Sequence, residues 1–307
     1  MSEVLIELEG VSKIFRSRGR IVRAMDAISF RVRAGDVFGL LGPNGAGKST
    51  TLRAILMLTR LDAGRLRVFG RERPDRRTLF GQAAYLPEEP QLFQGATGSE
   101  HLRYFGRLCG MKNPDLSSRI GQVLEMVGLS DAGDRPIATY SKGMKQRIGI
   151  AAAILDRPRI IFLDEPTRGL DPIGGRQVRD VLKRLADEGV TLFLNSHMLG
   201  EVERLCNRVV ILERGRVRAD GLLSDLLTVD ETMEVRFTLP PGSDAATFGD
   251  AMVTEGALYK LTVADTAALG ELAGRVAAAG GRIVSTRATR VELEDFFLQV
   301  VREAESS

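Results

Sequence analysis

The densest chemistry in the sequence is the run Gly42-Pro43-Asn44-Gly45-Ala46-Gly47-Lys48-Ser49, which satisfies G-x-x-x-x-G-K-[S/T]. It follows the apolar run Val37-Phe38-Gly39-Leu40-Leu41 and precedes a stretch of helical composition over residues 50–58, the placement such a loop requires. Its glycines let the backbone curl so that successive N–H groups face phosphate oxygens, at the positive end of the helix that follows. Lys48 supplies a mobile positive charge for β- and γ-phosphates, and Ser49 offers its hydroxyl to Mg²⁺. Thr50, next in the chain, is grouped with this phosphate-facing set. A second signal is Ile160-Ile161-Phe162-Leu163-Asp164-Glu165, an apolar strand ending in paired carboxylates. The C-terminal ends of parallel strands are where open α/β sheets bind ligands. There Asp164 is expected to hold Mg²⁺ through water, and Glu165 to take the proton of an attacking water.

These residues need a scaffold of strands that end at one edge. Strand patterns are read at residues 4–8, at Ile28, Phe30 and Val32, and at residues 37–41, 160–163, 191–194 and 209–212. Helical stretches lie near 174–187 and 198–206. Between residues 100 and 155 no strand-like run occurs. Leu102, Phe105 and Leu108, then Ile120, Val123, Leu124 and Val127, fall at helical spacing. The pattern predicts an α/β core with a helical insertion. A basic stretch with Arg16, Arg18, Arg20 and Arg23 follows the first strand, and a second arginine cluster, Arg71, Arg73, Arg76 and Arg77, reads as a solvated loop.

Composition narrows the class. The chain has 307 residues, 44% hydrophobic and 27% charged, a soluble globular profile with room for roughly two domains at ~150 residues each. The longest apolar run, residues 148–155, is far short of the ~18 that a membrane span needs. The opening residues lack the basic-then-apolar layout of a signal peptide. Cys109 and Cys206 stand alone in apolar surroundings and are read as packing residues, so disulfide and zinc scaffolds are not expected and a reducing compartment is. Charge is uneven. Residues 224–307 hold 7 of the 43 basic and 14 of the 40 acidic residues, which leaves the first 223 with 36 and 26. The break predicts a domain boundary near residue 224, and the basic first part suits an anionic partner.

The run Tyr140-Ser141-Lys142-Gly143-Met144-Lys145-Gln146-Arg147 resembles the signature motif of the ATP-binding cassette (ABC) family, usually L-S-G-G-Q. Gly169-Leu170-Asp171-Pro172 resembles that family's D-loop. His197 stands where the family keeps a switch histidine, and Phe15 where it stacks an aromatic ring on adenine. The resemblance covers roughly residues 3–220. It implies a P-loop NTPase (RecA-like) ABC core over residues 1–223, with a β subdomain and a helical subdomain at about 88–155. ATP and Mg²⁺ are the implied cofactors. Two cassettes, expected to be two copies of this chain, would close head to tail. Each ATP would lie between the loop at 42–50 of one and Ser141, Gly143 and Asp171 of the other. Glu165 and His197 are the implied catalytic pair, with Ser49, Asp164 and Glu88 at the metal. The helical region after Pro87 would meet separate integral-membrane subunits, which places the chain at the cytoplasmic face of the cell membrane.

Two positions depart from the family pattern. Glu88 replaces a glutamine; an ionised carboxylate accepts hydrogen bonds but cannot donate one. Lys142 replaces the first signature glycine. Several stretches, including Tyr85-Leu86-Pro87-Glu88-Glu89 and Leu293-Glu294-Asp295-Phe296-Phe297, are similar to exporter ATPases of the daunorubicin-resistance type. The alternative is a soluble ABC ATPase acting on nucleic acid or ribosomes. A single cassette, without a sustained heptad run or C-x-x-C pair, argues against it, so no nucleic-acid partner is expected.

Residues 224–307 read as a small α+β domain. Met233, Val235, Phe237 and Leu239 alternate as one strand, and Leu258, Leu261 and Val263 suggest another. A helix through Leu269, Leu272, Val276 and Ala279 is expected, with Asp265 as its N-cap and Gly280 as its stop. A last helix carries Leu293, Phe296, Phe297, Val300 and Val301 on one face.

Overall fold

A computed structural model describes residues 2–17, 20–240, 243, 248, 253–255 and 258–305; Arg18 of the basic stretch lies outside them. The chain forms two compact units, Met1–Leu223 with Gln299–Ser307, and Ser224–Leu298. The charge break marks a single cut at 223/224, whereas the last helix runs across a second division that composition does not register.

The first unit opens with a long antiparallel pair, β1 (Val4–Ser17) and β2 (Arg20–Arg33). Next come β3 (Val37–Leu41), α1 (Lys48–Ile55), β4 (Ala63–Val68), the short α2 (Arg76–Leu79) and β5 (Ala83–Leu86). Three helices then run without an intervening strand: α3 (Gly98–Leu108), α4 (Asp115–Met126) and α5 (Lys142–Ala153). Strand and helix alternate after that through β6 (Ile160–Asp164), α6 (Pro172–Asp187), β7 (Thr191–Asn195), α7 (Leu199–Leu205), β8 (Arg208–Glu213) and β9 (Arg216–Leu222). The described part of the basic stretch after residue 8 is strand. Arg16 lies in β1, and Arg20 and Arg23 lie in β2, because pairing to β2 carries the strand on past its apolar start. Sequence reading also passed over β4, β5 and β9, whose apolar patterns are short or mixed.

Two sheets share one core. β2, β1 and β4 form an antiparallel sheet, and six strands run in the order β5-β6-β7-β3-β8-β9, parallel except for β9. β3 and β7 are buried along their whole length and β6 up to Asp164, as strands sandwiched on both faces must be. Phe30 of the first sheet stacks on Phe38, Phe38 on Phe193, and Phe193 meets Phe162, with ring centroids 5.0–5.3 Å apart. That file of rings, with Leu52 and Ile55 of α1, fixes the height of β3, β6 and β7 relative to one another. Their C-terminal ends therefore lie along one edge.

The helical segment is held by reciprocal capping. Arg119 of α4 donates to the carbonyls of Ile154 (2.7 Å) and Leu155 (3.1 Å) at the end of α5. Arg147 of α5 donates to those of Val127 (2.8 Å) and Gly128 (2.9 Å) at the end of α4. Helix ends left with free carbonyls are thus satisfied, and cations sit at their negative poles. Thr97 and Glu100 form a capping box at the start of α3.

The second unit is built on an antiparallel sheet in the order β11 (Val253–Glu255), β12 (Leu258–Val263), β10 (Thr228–Thr238) and β13 (Arg282–Arg290). It opens within α8 (Leu223–Leu226), and α9 (Thr266–Ala278) packs on the sheet. Asp265 caps α9 by accepting from Ala268 N–H at 2.7 Å, and Gly280 turns the chain at φ +72. Leu239 falls just outside β10, because the ladder to β13 stops at Thr238. Val235, Phe237, Phe248, Leu261, Val263, Leu272 and Val276 form this unit's core. The chain's last helix is α10 (Leu293–Glu305).

Candidate functional site

At the C-terminal edge of the six-stranded sheet, β3 runs into the loop at residues 42–47. Gly42 has φ +152, and a Cβ there would lie 2.2 Å from the carbonyl oxygen of Leu212. Gly47 has φ +105, and a Cβ would meet the Ala24 carbonyl oxygen at 2.3 Å. Neither backbone conformation nor the space allows a side chain at these two positions. The loop is braced from outside, since Gly215 N–H donates to Ala46 O at 3.0 Å. Lys48 is buried, and its Nζ donates to Gly42 O (2.6 Å) and Pro43 O (3.2 Å), folded back over its own loop. Burial lowers its pKa, against an opposing pull from the charges of Glu165 and Asp164. Ser49 is exposed, as are Pro43, Asn44 and Gly45. Ala46 is buried, and Thr50 is half-buried. No side chain caps α1, so its first N–H groups are open to an anion.

Two strands away, β6 delivers Asp164. One oxygen accepts from Asn195 Nδ2 at 2.7 Å and the other from the Tyr85 hydroxyl at 3.3 Å. Sequence reasoning missed both partners. Asn195 ends β7 and Tyr85 lies in β5, and these are the neighbours of β6 in the sheet. The only signal for Asn195 was its place two residues before His197. Burial, and then the Asp164 charge, raise the pKa of the Tyr85 phenol.

Glu165 takes φ +48, uncommon for a residue with a side chain. Its carboxylate is gripped by the chain after β7: His197 Nδ1 lies 2.6 Å from Oε1, His197 N–H donates to Oε1 at 3.1 Å, and Ser196 Oγ donates to Oε2 at 3.2 Å. The two residues read as a catalytic pair are therefore in contact. Behind them Glu201, buried in α7, accepts from the Thr167 hydroxyl and from Arg179 (3.1 Å).

The remaining residues are positioned by helix ends. Ser141 is the N-cap of α5 and accepts from Met144 N–H at 3.2 Å, which leaves its own hydroxyl proton free to donate. Gly143 is buried, and a Cβ there would lie 3.3 Å from Gly174 Cα, so α5 and α6 meet at their glycines. Asp171 caps α6, accepting from Gly174 N–H at 2.6 Å. Phe15, 44% exposed, stands on the β1–β2 ladder with Lys13 Nζ 5.4 Å from its ring centre. Glu88 is turned to Arg168, with 2.9 Å and 3.0 Å contacts to its guanidinium. Its carboxylate thus serves an arginine here, not a group of metal ligands. Among the described residues no set of three His, Cys, Asp or Glu side chains could hold a metal ion.

A glycine-rich loop between a parallel strand and a helix, with carboxylates ending a nearby strand, defines a P-loop nucleotide-binding α/β protein. The comparisons with known proteins narrow the class. The family model described as ABC transporter matches residues 25–168. An ABC transporter ATP-binding protein of Synechocystis sp. is 35% identical over 97% of this chain and 85% of its own length. The daunorubicin/doxorubicin resistance ATP-binding protein DrrA of Streptomyces peucetius is 41% identical over 72% of this chain and 66% of its own. A solved structure of an ATP-binding subunit of an ABC transporter matches with a TM-score of 0.63 at 33% identity, covering 72% of this chain and 91% of that one. The chain belongs to the ABC transporter ATP-binding family, and as such it binds and hydrolyses ATP. Among the described residues no helix is long and apolar enough to cross a membrane.

Proposed function

We propose that this chain powers export, working at the cytoplasmic face of a membrane on spanning subunits carried by other chains. The drug-resistance relative supports the direction, and the α3 surface supports the partner. There an apolar groove of ~290 Å³ is lined by Tyr85, Leu86, Pro90, Leu92, His101 and Phe105, between the chain after β5 and helices α3 and α5. A helix of a membrane subunit would dock in it.

Residue roles follow from the geometry. The N–H groups of residues 44–49, at the start of α1, would cradle the phosphates of ATP, with Phe15 against the base. Lys48 would leave the carbonyls of Gly42 and Pro43 for phosphate oxygens, a better partner for a desolvated cation. A hydroxyl at Ser49 and a carboxylate at Asp164 are the hard oxygen donors that suit Mg²⁺, which keeps several waters and binds together with nucleotide phosphates. That ion would offset charge on the β- and γ-oxygens. Glu165, held by Ser196 and His197, would accept the proton of the attacking water as the water oxygen bonds to the γ-phosphorus and the bridge to the β-phosphate breaks. Ser141 and Gly143 would meet the γ-phosphate of a second copy, with Asp171 beside them, so loss of that phosphate would release the pair.

The single observation that carries the hydrolytic part of this reading is the grip of His197 and Ser196 on Glu165 at the sheet edge that also bears the phosphate loop. The test is nucleotide titration of the purified protein and of Lys48→Ala. Tight ATP binding by the wild type and weakened binding by the variant is the expected result; equal affinities remove Lys48 from the site.

A further inference from the structure

Glu165 sits in the left-handed backbone region, which a non-glycine residue keeps only where its surroundings over-determine it. Upstream, the peptide is tied to β7, with Glu165 N–H donating to Asn195 O at 2.8 Å. Downstream, a turn closes where Arg168 N–H donates to Glu165 O at 3.1 Å. Arg168 is therefore one hydrogen bond away from the residue whose conformation is strained.

Two other segments of the site reach that same arginine. From the loop after β5, Glu88 pairs with its guanidinium at 2.9 Å. From the first residue of α5, Lys142 Nζ donates to its carbonyl oxygen at 2.9 Å. The fit around the lysine is close: Gly169 has φ +66, and a Cβ there would lie 2.5 Å from Nζ. The two positions that depart from the family pattern thus converge on one residue.

We propose that Arg168 is a positioning residue for Glu165, through which the Glu88 loop and the start of α5 together set the turn that aims its carboxylate. The inference rests on the hydrolytic reading of Glu165. The Arg168 and Glu88 side chains are partly exposed, 54% and 40%, so the expected effects are modest.

The test is a double-variant cycle on the full chain with Arg168→Ala, Glu88→Ala and both together, beside the charge swap Glu88→Arg with Arg168→Glu. The readouts are kcat and KM for ATP, and amide exchange of residues 165–171 without nucleotide. Each single change should lower kcat about three- to tenfold with KM within about twofold, and should speed exchange. The double should be no slower than the worse single, and the swap should recover more than half of the loss. Lys142→Met, which keeps the stem and removes the donor, should speed the same amides. Additive losses, a swap no better than the singles, a change in KM alone, or unaltered exchange would overturn the proposal. A wild type that hydrolyses no ATP would sink the hydrolytic reading instead, and exchange would still decide whether the arginine holds the turn.

Discussion

The two sheets that build the separate units follow different rules. In the six-stranded sheet the strand ends carry polar groups that converge on two carboxylates: Asp164 takes Asn195 from β7 and Tyr85, 79 residues earlier, from β5, and Glu165 takes Ser196 and His197. In the four-stranded sheet of the second unit Glu234 pairs with Arg236 on its own strand and with Lys260 on the neighbouring β12, and no such convergence on a strand end is seen among the described residues. Among the described residues, the buried side-chain polar atoms left without a hydrogen-bond partner, such as His101 Nδ1 and Asn195 Oδ1, all precede residue 224. Such groups are rare in folded proteins, and a water, an ion or a ligand is the usual partner of one. The contrast separates a unit whose strand ends gather polar groups from one whose described sheet carries ordinary ion pairs.

Glu165→Gln gives the largest effect that would sharpen this contrast. It keeps the shape and removes the base, so hydrolysis should fall by ~10²–10⁴ while ATP affinity holds; steady-state turnover alongside nucleotide titration checks it. In the second unit, Phe237→Ala should cost about 3–5 kcal/mol, since the fully buried ring contacts Phe248 and Tyr259. Unfolding monitored by amide exchange should place that loss in residues 224–298. A matching collapse of turnover would break the separation between the units.

A third test uses pH. Burial in α3 pulls the pKa of His101 down from 6.5 to about 4. Between those values the unfolded chain binds the proton and the folded one does not, so stability falls as pH drops through that window and levels off below it. The span corresponds to about 3 kcal/mol at most. His101→Phe should flatten the melting temperature between pH 6.5 and 4, and an unchanged slope would locate the loss elsewhere. The smallest effect is expected at Asp265→Ala, about 1 kcal/mol from the lost cap of α9, read by denaturant titration.

Much of the site was legible in the chain itself. Residues 42–49 fix their own backbone through glycine and end at a helix start. The carboxylates at 164–165 are placed by the apolar run before them, and Ser141 and Asp171 stand out through the family-like motifs that contain them, while their capping of α5 and α6 emerges from the structure. The hidden part lies in pairings between distant segments. Nothing local ties Tyr85 to Asp164, 79 residues away, or Glu88 to Arg168, 80 residues away. β4, β5 and β9 escaped because strands at or near a sheet edge need little apolar pattern.

The sequence by itself determined the phosphate loop, the N-cap of α9 and the break in charge at residue 224, because glycine angles and a capping carboxylate act within a few residues. Only the tertiary structure decided that His197 and Ser196 hold Glu165, that Asn195 and Tyr85 share Asp164, and that Glu88 turns to an arginine. Those contacts follow from the strand order β5-β6-β7-β3, and strand order is set by how buried faces pack, a property of the whole core that no local run of residues encodes.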